Sequence, residues 1–199
     1  MFGKKERHLE FSFLDNGFLW EDREYRFANV LSIRFARARH DVHTIGMGVT
    51  SSVHQASLII DMNNGEEVKI KEGVKFLRST SEKIVDHISD IYIAISHKTF
   101  DQRIQRYIQE INMDTYFDYN GWRFHPTARY IELISSNERY YVDKCSFLKS
   151  YGFIQIKQHL SLIKKILEWP PREIGINTTT DTDVIFPLLR MYFGLSWGD

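Results

Sequence analysis

The clearest structural signal in the chain lies in residues 8–21, which read His8-Leu9-Glu10-Phe11-Ser12-Phe13-Leu14-Asp15-Asn16-Gly17-Phe18-Leu19-Trp20-Glu21. Leu9, Phe11 and Phe13 recur at the two-residue period of a strand that buries one face. Asn-Gly accepts the positive φ values of a tight turn. Asn16-Gly17 therefore predicts a hairpin that joins a strand at His8–Phe13 to one at Phe18–Glu21.

Strand signals continue through the rest of the first half. Asn-Gly recurs at Asn64-Gly65, where it predicts a hairpin between Leu58–Met62 and Glu67–Ile70. A further strand is predicted for Val30–His40, with a bulge or an end near Ala36, where the apolar alternation slips. The first half is thus expected to be a run of antiparallel strands.

Helical periodicity replaces strand periodicity between residues 80 and 112, where we expect either one long bent helix or two consecutive helices. Ser79 with Glu82 has the spacing of a capping box, and so has Thr99 with Gln102. The first pair predicts where the helical region begins, and the second predicts where a second helix would begin.

The second half opens with a third Asn-Gly pair, Asn120-Gly121, and ends in a short apolar helix at Val184–Phe193. Asp181 and Asp183 are among the candidate N-caps of that helix. The apolar tail that follows would expose a hydrophobic patch unless it docks back on the protein. The segment at residues 134–149 is hard to assign. The predicted strands are Tyr116–Tyr119, Trp122–His125, Arg129–Ile134, Arg139–Val142, Tyr151–Lys157, Leu160–Leu167 and Glu173–Thr178.

This order of elements indicates an α+β protein of two antiparallel sheet units, each followed by a helix, at residues 1–113 and 114–199. Five positions of the two units match at a constant spacing: Phe13, Asn16, Gly17, Phe18 and Trp20 match Phe117, Asn120, Gly121, Trp122 and Phe124. An internal duplication and a chance recurrence of common hairpin residues both account for this match.

A strand meander closed by a C-terminal helix resembles the pleckstrin-homology-like fold, in particular its small bacterial domains. The resemblance rests on the hairpin through Asn16-Gly17, the strand Val30–His40, the hairpin through Asn64-Gly65 and the helix that starts near Thr80. It covers residues 8–112 best and residues 116–197 loosely. It implies a scaffold that binds phosphoinositides, peptides or protein surfaces, usually without catalysis.

Composition narrows the classes of partner. Lys plus Arg equal Asp plus Glu at 26 each, so no whole-molecule field attracts nucleic acid or an anionic surface. Cys145 is the single cysteine, which excludes a disulfide within the chain, and we expect it in the core. No apolar run is long enough for a membrane span and no signal segment opens the chain, which predicts a cytoplasmic protein.

The most uneven charge lies in Arg26–His40, a stretch without acidic residues. Guanidinium groups on one strand would bind a phosphate, a phosphoinositide or a peripheral anionic lipid. The alternative is a solvated strand surface whose arginines pair with Glu21, Asp22 or Glu24 on a neighbouring strand. The candidate anion site consists of Arg34, Arg37, Arg39, His40 and His43.

Other chemistry has weaker signals. Thr44–Ser52 contains Gly46, Met47 and Gly48 but no Walker lysine, so we expect a mobile hairpin loop that serves as a partner-contact loop. The 8 histidines lack the spacing of a metal site, and we predict no metal and no cofactor. No nucleophile motif is found, and the best-placed carboxylates for acid or base work are Asp181 and Asp183, for which helix capping is the preferred interpretation.

Eight aromatic residues could form a stacking surface for single-stranded nucleic acid: Trp20, Tyr25, Tyr116, Tyr119, Trp122, Tyr130, Tyr140 and Tyr141. Such surfaces combine stacking with a basic groove, so core packing and a protein interface are preferred, and nucleic acid is not expected as a partner. The sequence therefore predicts a non-enzymatic binding protein that contacts a protein partner or another copy of itself. Anion binding through Arg34, Arg37 and Arg39 is one alternative, and a small hydrolase with a site invisible in the sequence is another.

Overall fold

The structure is a computed structural model, and it describes residues 10–43, 50–72, 82–150, 152–159, 174–195 and 197. Within these ranges the chain forms four antiparallel sheets and two α-helices, which confirms the α+β class. Several predicted features lie outside the described residues: the strand Leu160–Leu167, Ser79 of the first capping box, and the loop residues Gly46, Met47 and Gly48.

The first half contains two three-stranded antiparallel meanders. One consists of β1 (Phe11–Leu14), β2 (Gly17–Trp20) and β3 (Arg23–Arg26) in that order. After a 3₁₀ turn at Phe27–Asn29, the other consists of β4 (Val30–His43), β5 (Thr50–Met62) and β6 (Glu67–Glu72).

The first hairpin forms, but its turn lies one residue earlier than predicted. Leu14 pairs with Gly17, so Asp15 and Asn16 make the turn and Gly17 is the first residue of β2. Glycine is needed there because of a close approach between strands: a Cβ at residue 17 would lie 2.1 Å from the carbonyl oxygen of Tyr25 on β3. The predicted turn at Asn16-Gly17 is therefore wrong in detail, although the hairpin is confirmed.

The other two Asn-Gly pairs do form turns. Gly65 has a φ of 83° between β5 and β6, and Asn120 and Gly121 have φ values of 46° and 81°. The tight turn between β2 and β3 uses Glu21-Asp22 at φ values of 49° and 60°, although neither residue favours the left-handed region as glycine does. The strand β3 was not predicted, because the turn before it contains no glycine, asparagine or proline.

The long hairpin of β4 and β5 corrects two expectations. Its register irregularity lies between Val30 and Ser32, and pairing then continues without a break through Ala36 to His43, so no bulge or end occurs at Ala36. β5 begins at Thr50, so the strand starts before the predicted Leu58 and includes residues 50–52 of the predicted loop, whose residues 44–49 lie outside the described ranges. Pairing persists because main-chain hydrogen bonds hold a ladder together even where the side chains no longer alternate.

A single helix, α1 (Glu82–Asp114), links the two halves. At 33 residues and roughly 1.5 Å per residue it is about 50 Å long. Thr99 does not cap a second helix, because it lies inside α1 and its hydroxyl donates to the Ile95 carbonyl at 2.8 Å. The first part of α1 packs in the core of the first half, through Val85, Ile88, Ile91 and Ile95. The last part packs in the core of the second half, through Ile104, Tyr107 and Ile111.

The second half has the four-stranded sheet β7 (Phe117–Tyr119), β8 (Trp122–His125), β9 (Tyr130–Leu133) and β10 (Glu138–Tyr141). A 3₁₀ turn at Val142–Lys144 precedes the three-stranded sheet β11 (Cys145–Ser150), β12 (Phe153–Gln158) and β13 (Ile174–Asn177). β11 occupies part of the segment that could not be assigned from the sequence, and the predicted burial of Cys145 is confirmed.

The helix α2 (Thr182–Phe193) ends the second half and lies on its core. The apolar tail docks back on the protein, which was one of the two outcomes considered from the sequence. The Trp197 ring contacts the Phe186 ring of α2 edge-on at 5.1 Å. Among the residues that the structure describes, no helix is long and apolar enough to cross a membrane.

Candidate functional site

Arg34 and Arg37 of the predicted anion strand have different partners. Arg34 forms ion pairs with Asp61 at 2.6 Å and Glu67 at 2.5 Å, while Arg37 pairs with Asp86 of α1 at 3.1 Å. Residues an odd number apart on a strand lie on opposite faces, and their different partners agree with this. The side chains of the other members, Arg39, His40 and His43, are outside the described set although their backbone belongs to β4.

The acidic partners differ from those expected. Glu21, Asp22 and Glu24 belong to the first meander, whereas β4 lies beside β5 in the second meander and under α1. Hydrogen bonds to Asp61 and Glu67 hold the pKa of Arg34 above its usual value. Both carboxylates bind the Arg34 Nη2, so an incoming phosphate would meet their negative charge at this guanidinium.

A buried cluster of charged groups joins α1, α2 and β4. Arg103 and Asp181 are fully buried, and the Arg103 Nη1 lies 2.8 Å from the Asp181 Oδ1. The Arg103 Nη2 lies 2.5 Å from the Asp183 Oδ2, and its Nε donates to the Thr99 hydroxyl at 3.0 Å. A buried guanidinium needs such partners, because an unpaired buried charge is very costly.

Asp181 also connects α2 to the first half of the chain. Its Oδ1 accepts the Ile33 N–H at 2.9 Å, and its own N–H donates to the Ile33 carbonyl at 2.7 Å. The Tyr107 hydroxyl donates to its Oδ2 at 3.2 Å. Asp181 occupies the N-cap position of α2, which confirms it as one of the predicted candidates, but its backbone is left-handed and its side chain makes no capping hydrogen bond. Burial raises the pKa of Asp181 above its usual value, although several donors oppose this.

The geometry of Asp181 is that of a structural rather than a catalytic group. Both carboxyl oxygens of Asp181 are occupied by donors within the protein, and the residue is fully buried. An acid or base must reach the proton that it transfers. Asp181 therefore holds the two halves together and is inaccessible to a substrate.

One pair of side chains has the distance of a nucleophile and a base. The Ser146 Oγ lies 2.6 Å from the His159 Nε2 on the surface of β11 and β12. A catalytic triad also holds a carboxylate that orients the base, and within the described ranges no carboxylate bonds to the His159 ring. The pair is described best as a surface hydrogen bond.

The outer face of the second sheet carries an arrangement that the sequence analysis did not assemble. Strand alternation buries one face of β7–β10. On the other face Asp118, Arg139 and Tyr141 are exposed and most other side chains are half-buried, while Glu132 is buried at 8% exposure beneath its pair with Arg139. We call this more open side the aromatic–charge face, and it consists of Tyr116, Asp118, Arg123, His125, Tyr130, Glu132, Arg139, Tyr141 and Lys144. Its members form two rows that cross all four strands.

The first row consists of rings. The rings of Tyr116 and His125 are 5.4 Å apart, those of His125 and Tyr130 are stacked at 4.3 Å, and those of Tyr130 and Tyr141 are 5.6 Å apart. Desolvation by these neighbours lowers the pKa of His125. Its Nε2 is buried without a hydrogen-bond partner among the described residues.

The second row consists of alternating charges. Arg123 makes a bidentate pair with Asp118 at 2.8 and 2.9 Å, and Arg139 pairs with Glu132 at 2.9 Å. Arg123 and Glu132 are opposite each other in the register of β8 and β9. The row is therefore negative, positive, negative and positive from β7 to β10.

Cations link the two rows. The Arg123 guanidinium lies 4.2 Å from the centre of the Tyr116 ring, and the Arg139 guanidinium lies 5.0 Å from that of Tyr130. The Lys144 ammonium lies 5.4 Å from the centre of the Tyr141 ring at the end of the row. Such contacts hold long side chains in one conformation before any partner arrives.

The first meander shows that this pattern is not a general consequence of the fold. Its outer face, set by the register of β1–β3, presents Ser12, Leu14, Leu19, Glu24 and Arg26. No aromatic side chain belongs to that face in the residues the structure describes. The described part of the first meander therefore lacks a counterpart of the aromatic–charge face.

Part of this face had a signal in the sequence. Of the eight aromatic residues weighed there, Tyr25, Tyr119, Trp122 and Tyr140 are buried, which confirms core packing for those four. Tyr141 is 41% exposed, and Tyr116 and Tyr130 are half-buried on the open face. The sequence did not point to Lys144, nor to Asp118, Arg123, His125, Glu132 and Arg139 as members of this face. Each of the last five lies two residues along the chain from another member, and that spacing was the available signal.

Comparison of the chain with protein-family models, with curated proteins and with solved structures finds no match.

Proposed function

We propose that this chain is a non-enzymatic binding protein that contacts a protein partner through the aromatic–charge face. The observation that carries the proposal is the four-ring row, held by stacking and by three cations on the open side of a sheet. Tyrosine and arginine are enriched in protein interfaces and at their energetic hot spots. Side chains that are already ordered lose little conformational entropy on binding.

The same geometry makes the face a poor platform for nucleic-acid bases. A base needs a free ring face on which to stack. The faces of His125 and Tyr130 are turned towards each other, and the guanidinium groups of Arg123 and Arg139 cover Tyr116 and Tyr130. The exposed Tyr141 and the ring edges suit a protein surface better.

The two alternatives have less support. Anion binding at Arg34 and Arg37 would compete with the carboxylates of Asp61, Glu67 and Asp86. Hydrolysis would need a third group beside the Ser146 and His159 pair. The resemblance to pleckstrin-homology-like domains agrees with a binding scaffold, but a fold fixes no function.

A capture experiment with matched variants tests the proposal. Tagged wild-type protein, a Tyr141→Ala/Arg139→Ala variant and a Phe153→Ala control are incubated with lysate of the source cells, and bound proteins are identified by mass spectrometry. Phe153 is 49% exposed, close to the 41% of Tyr141, but it lies on β12 outside the face. We expect a partner that the wild type and the control retain and that the double variant loses.

Two outcomes would contradict the proposal. Retention of every partner by the double variant would contradict the assignment of the face, provided that circular dichroism shows a folded protein. Ester hydrolysis by the wild type that disappears in Ser146→Ala would instead establish the enzymatic alternative.

A further inference from the structure

The arrangement of charges on the aromatic–charge face has a symmetry that identifies its partner. Asp118, Arg123, Glu132 and Arg139 lie one on each of four adjacent strands, with alternating sign. Because the number of strands is even, reversing the order of the row reverses the sign at every position. A row of this kind is complementary to its own reversed copy.

We propose that the partner is a second copy of this chain, bound face to face about a two-fold axis; this rests on the proposed function above. The axis would lie in the interface, parallel to the strands and midway between β8 and β9. Rotation about it sets β7 against β10 of the second copy and β8 against β9. An interface of this type uses the same surface on both subunits.

The pairing of charges follows from that rotation. Asp118 faces the partner's Arg139, and Arg123 faces the partner's Glu132. The same pairs recur on the other side of the axis, so four contacts between opposite charges form from two kinds. A two-fold axis at right angles to the strands would instead set the charge row against the ring row. Charge complementarity of this sort suppresses wrong arrangements, because juxtaposed like charges are costly.

The ring row is compatible with the same axis. Tyr116 faces the partner's Tyr141, and His125 faces the partner's Tyr130. Since the His125 and Tyr130 rings face each other along the row at 4.3 Å, their edges point away from the sheet. Edge contacts between aromatic rings and hydrogen bonds from phenol hydroxyls are then available across the interface.

The size of the face limits the strength of this dimer. Four strands about 4.8 Å apart and four residues of about 3.4 Å give a projected area of roughly 200–250 Å². A stable interface buries about 800 Å² on each partner. The face alone therefore supports a weak dimer that depends on concentration and on salt.

Sedimentation equilibrium with complementary charge variants tests this inference. Arg123→Glu/Arg139→Glu makes the row entirely acidic, and Asp118→Lys/Glu132→Lys makes it entirely basic. We expect wild-type protein to dimerise between about 10 μM and 1 mM in low salt, a range suited to a small interface. Each variant alone should be monomeric, and an equimolar mixture should form a one-to-one dimer that high salt dissociates.

Arg23→Glu is the matched control, because Arg23 is also an exposed arginine in an ion pair, with Glu66 at 2.6 Å, but on the first meander. It should dimerise like the wild type. Dimerisation that survives both charge variants overturns the inference, and so does a mixture that stays monomeric. A monomeric chain that still loses a different captured protein through Tyr141→Ala/Arg139→Ala would overturn the inference and leave the proposed function standing.

A measurement on the unaltered protein covers the case in which a charge variant does not fold. Amide chemical shifts of ¹⁵N-labelled wild type are recorded over the same dilution series. Shifts concentrated at Arg123, His125, Tyr130 and Glu132 are expected, since these residues flank the axis. No shift at these positions on dilution overturns the inference.

Discussion

Replacement of Arg103 by methionine should remove the connection between the two halves without leaving a large cavity. Arg103 has no exposed side-chain surface, and its guanidinium binds Asp181 at 2.8 Å and Asp183 at 2.5 Å. Breaking a buried pair from one side leaves uncompensated charge and costs about 3–5 kcal/mol. The stability of a whole domain is about 5–15 kcal/mol, so this one change should remove a large part of it.

Urea unfolding followed by circular dichroism measures the loss. With an m-value of about 2 kcal/mol/M, the midpoint of Arg103→Met should lie about 1.5–2.5 M below that of the wild type. Arg23→Met is the control, since Arg23 is 64% exposed in its pair with Glu66 and exposed pairs contribute about 0–1 kcal/mol. Equal losses for the two variants would refute the role given to the cluster.

Neutralising the acids should restore part of the loss. In Arg103→Met/Asp181→Asn/Asp183→Asn no buried charge is left without a partner, and neutral replacements of buried ion pairs are often tolerated. The deficit of the single variant should also shrink at lower pH. Burial already raises the pKa of Asp181 in the folded protein. Its contribution to stability is therefore full below its unfolded pKa and declines as pH rises through the folded value, and loss of the guanidinium strengthens this trend.

Two further outcomes follow from the structure. Burial holds the pKa of His125 below its usual 6.5, although the charge of Glu132 opposes this. An NMR titration of the ring should therefore have its midpoint below 6.5. The stability that neutral His125 contributes is present above pH 6.5 and is lost as the pH falls through the folded pKa. A midpoint at or above 6.5 would show that Glu132 outweighs burial. Gly17→Ala should cost about 1–3 kcal/mol in urea unfolding because its Cβ would meet the Tyr25 carbonyl at 2.1 Å. Gly175→Ala, whose nearest contact is the Phe153 ring at 3.6 Å, should cost under about 1 kcal/mol, and equal costs would contradict the steric argument.

Features that depend on neighbours along the chain were predictable. The turns at Asn64-Gly65 and Asn120-Gly121 and the helical period of α1 each arise within a short segment. Where a turn lacked its usual residues, as at Glu21-Asp22, the strand after it was missed. Thr99 was wrongly predicted to cap a second helix. Serine and threonine hydroxyls can also bond to a carbonyl of the preceding turn inside a helix, as the Thr99 hydroxyl does. The resemblance to pleckstrin-homology-like domains and the duplication stay predictions.

Local sequence determined the class of fold and which side chains share a face of each strand or helix, because a period of two or of 3.6 residues is a property of one element. Only the tertiary structure decided what those faces meet. It brought Asp181 to Arg103 and to Ile33, it set Arg34 beside Asp61, and it aligned four strands so that their rings and charges form rows. Contacts of this kind depend on which elements pack together, and that choice is made by burial of the whole apolar surface rather than by any short stretch of chain.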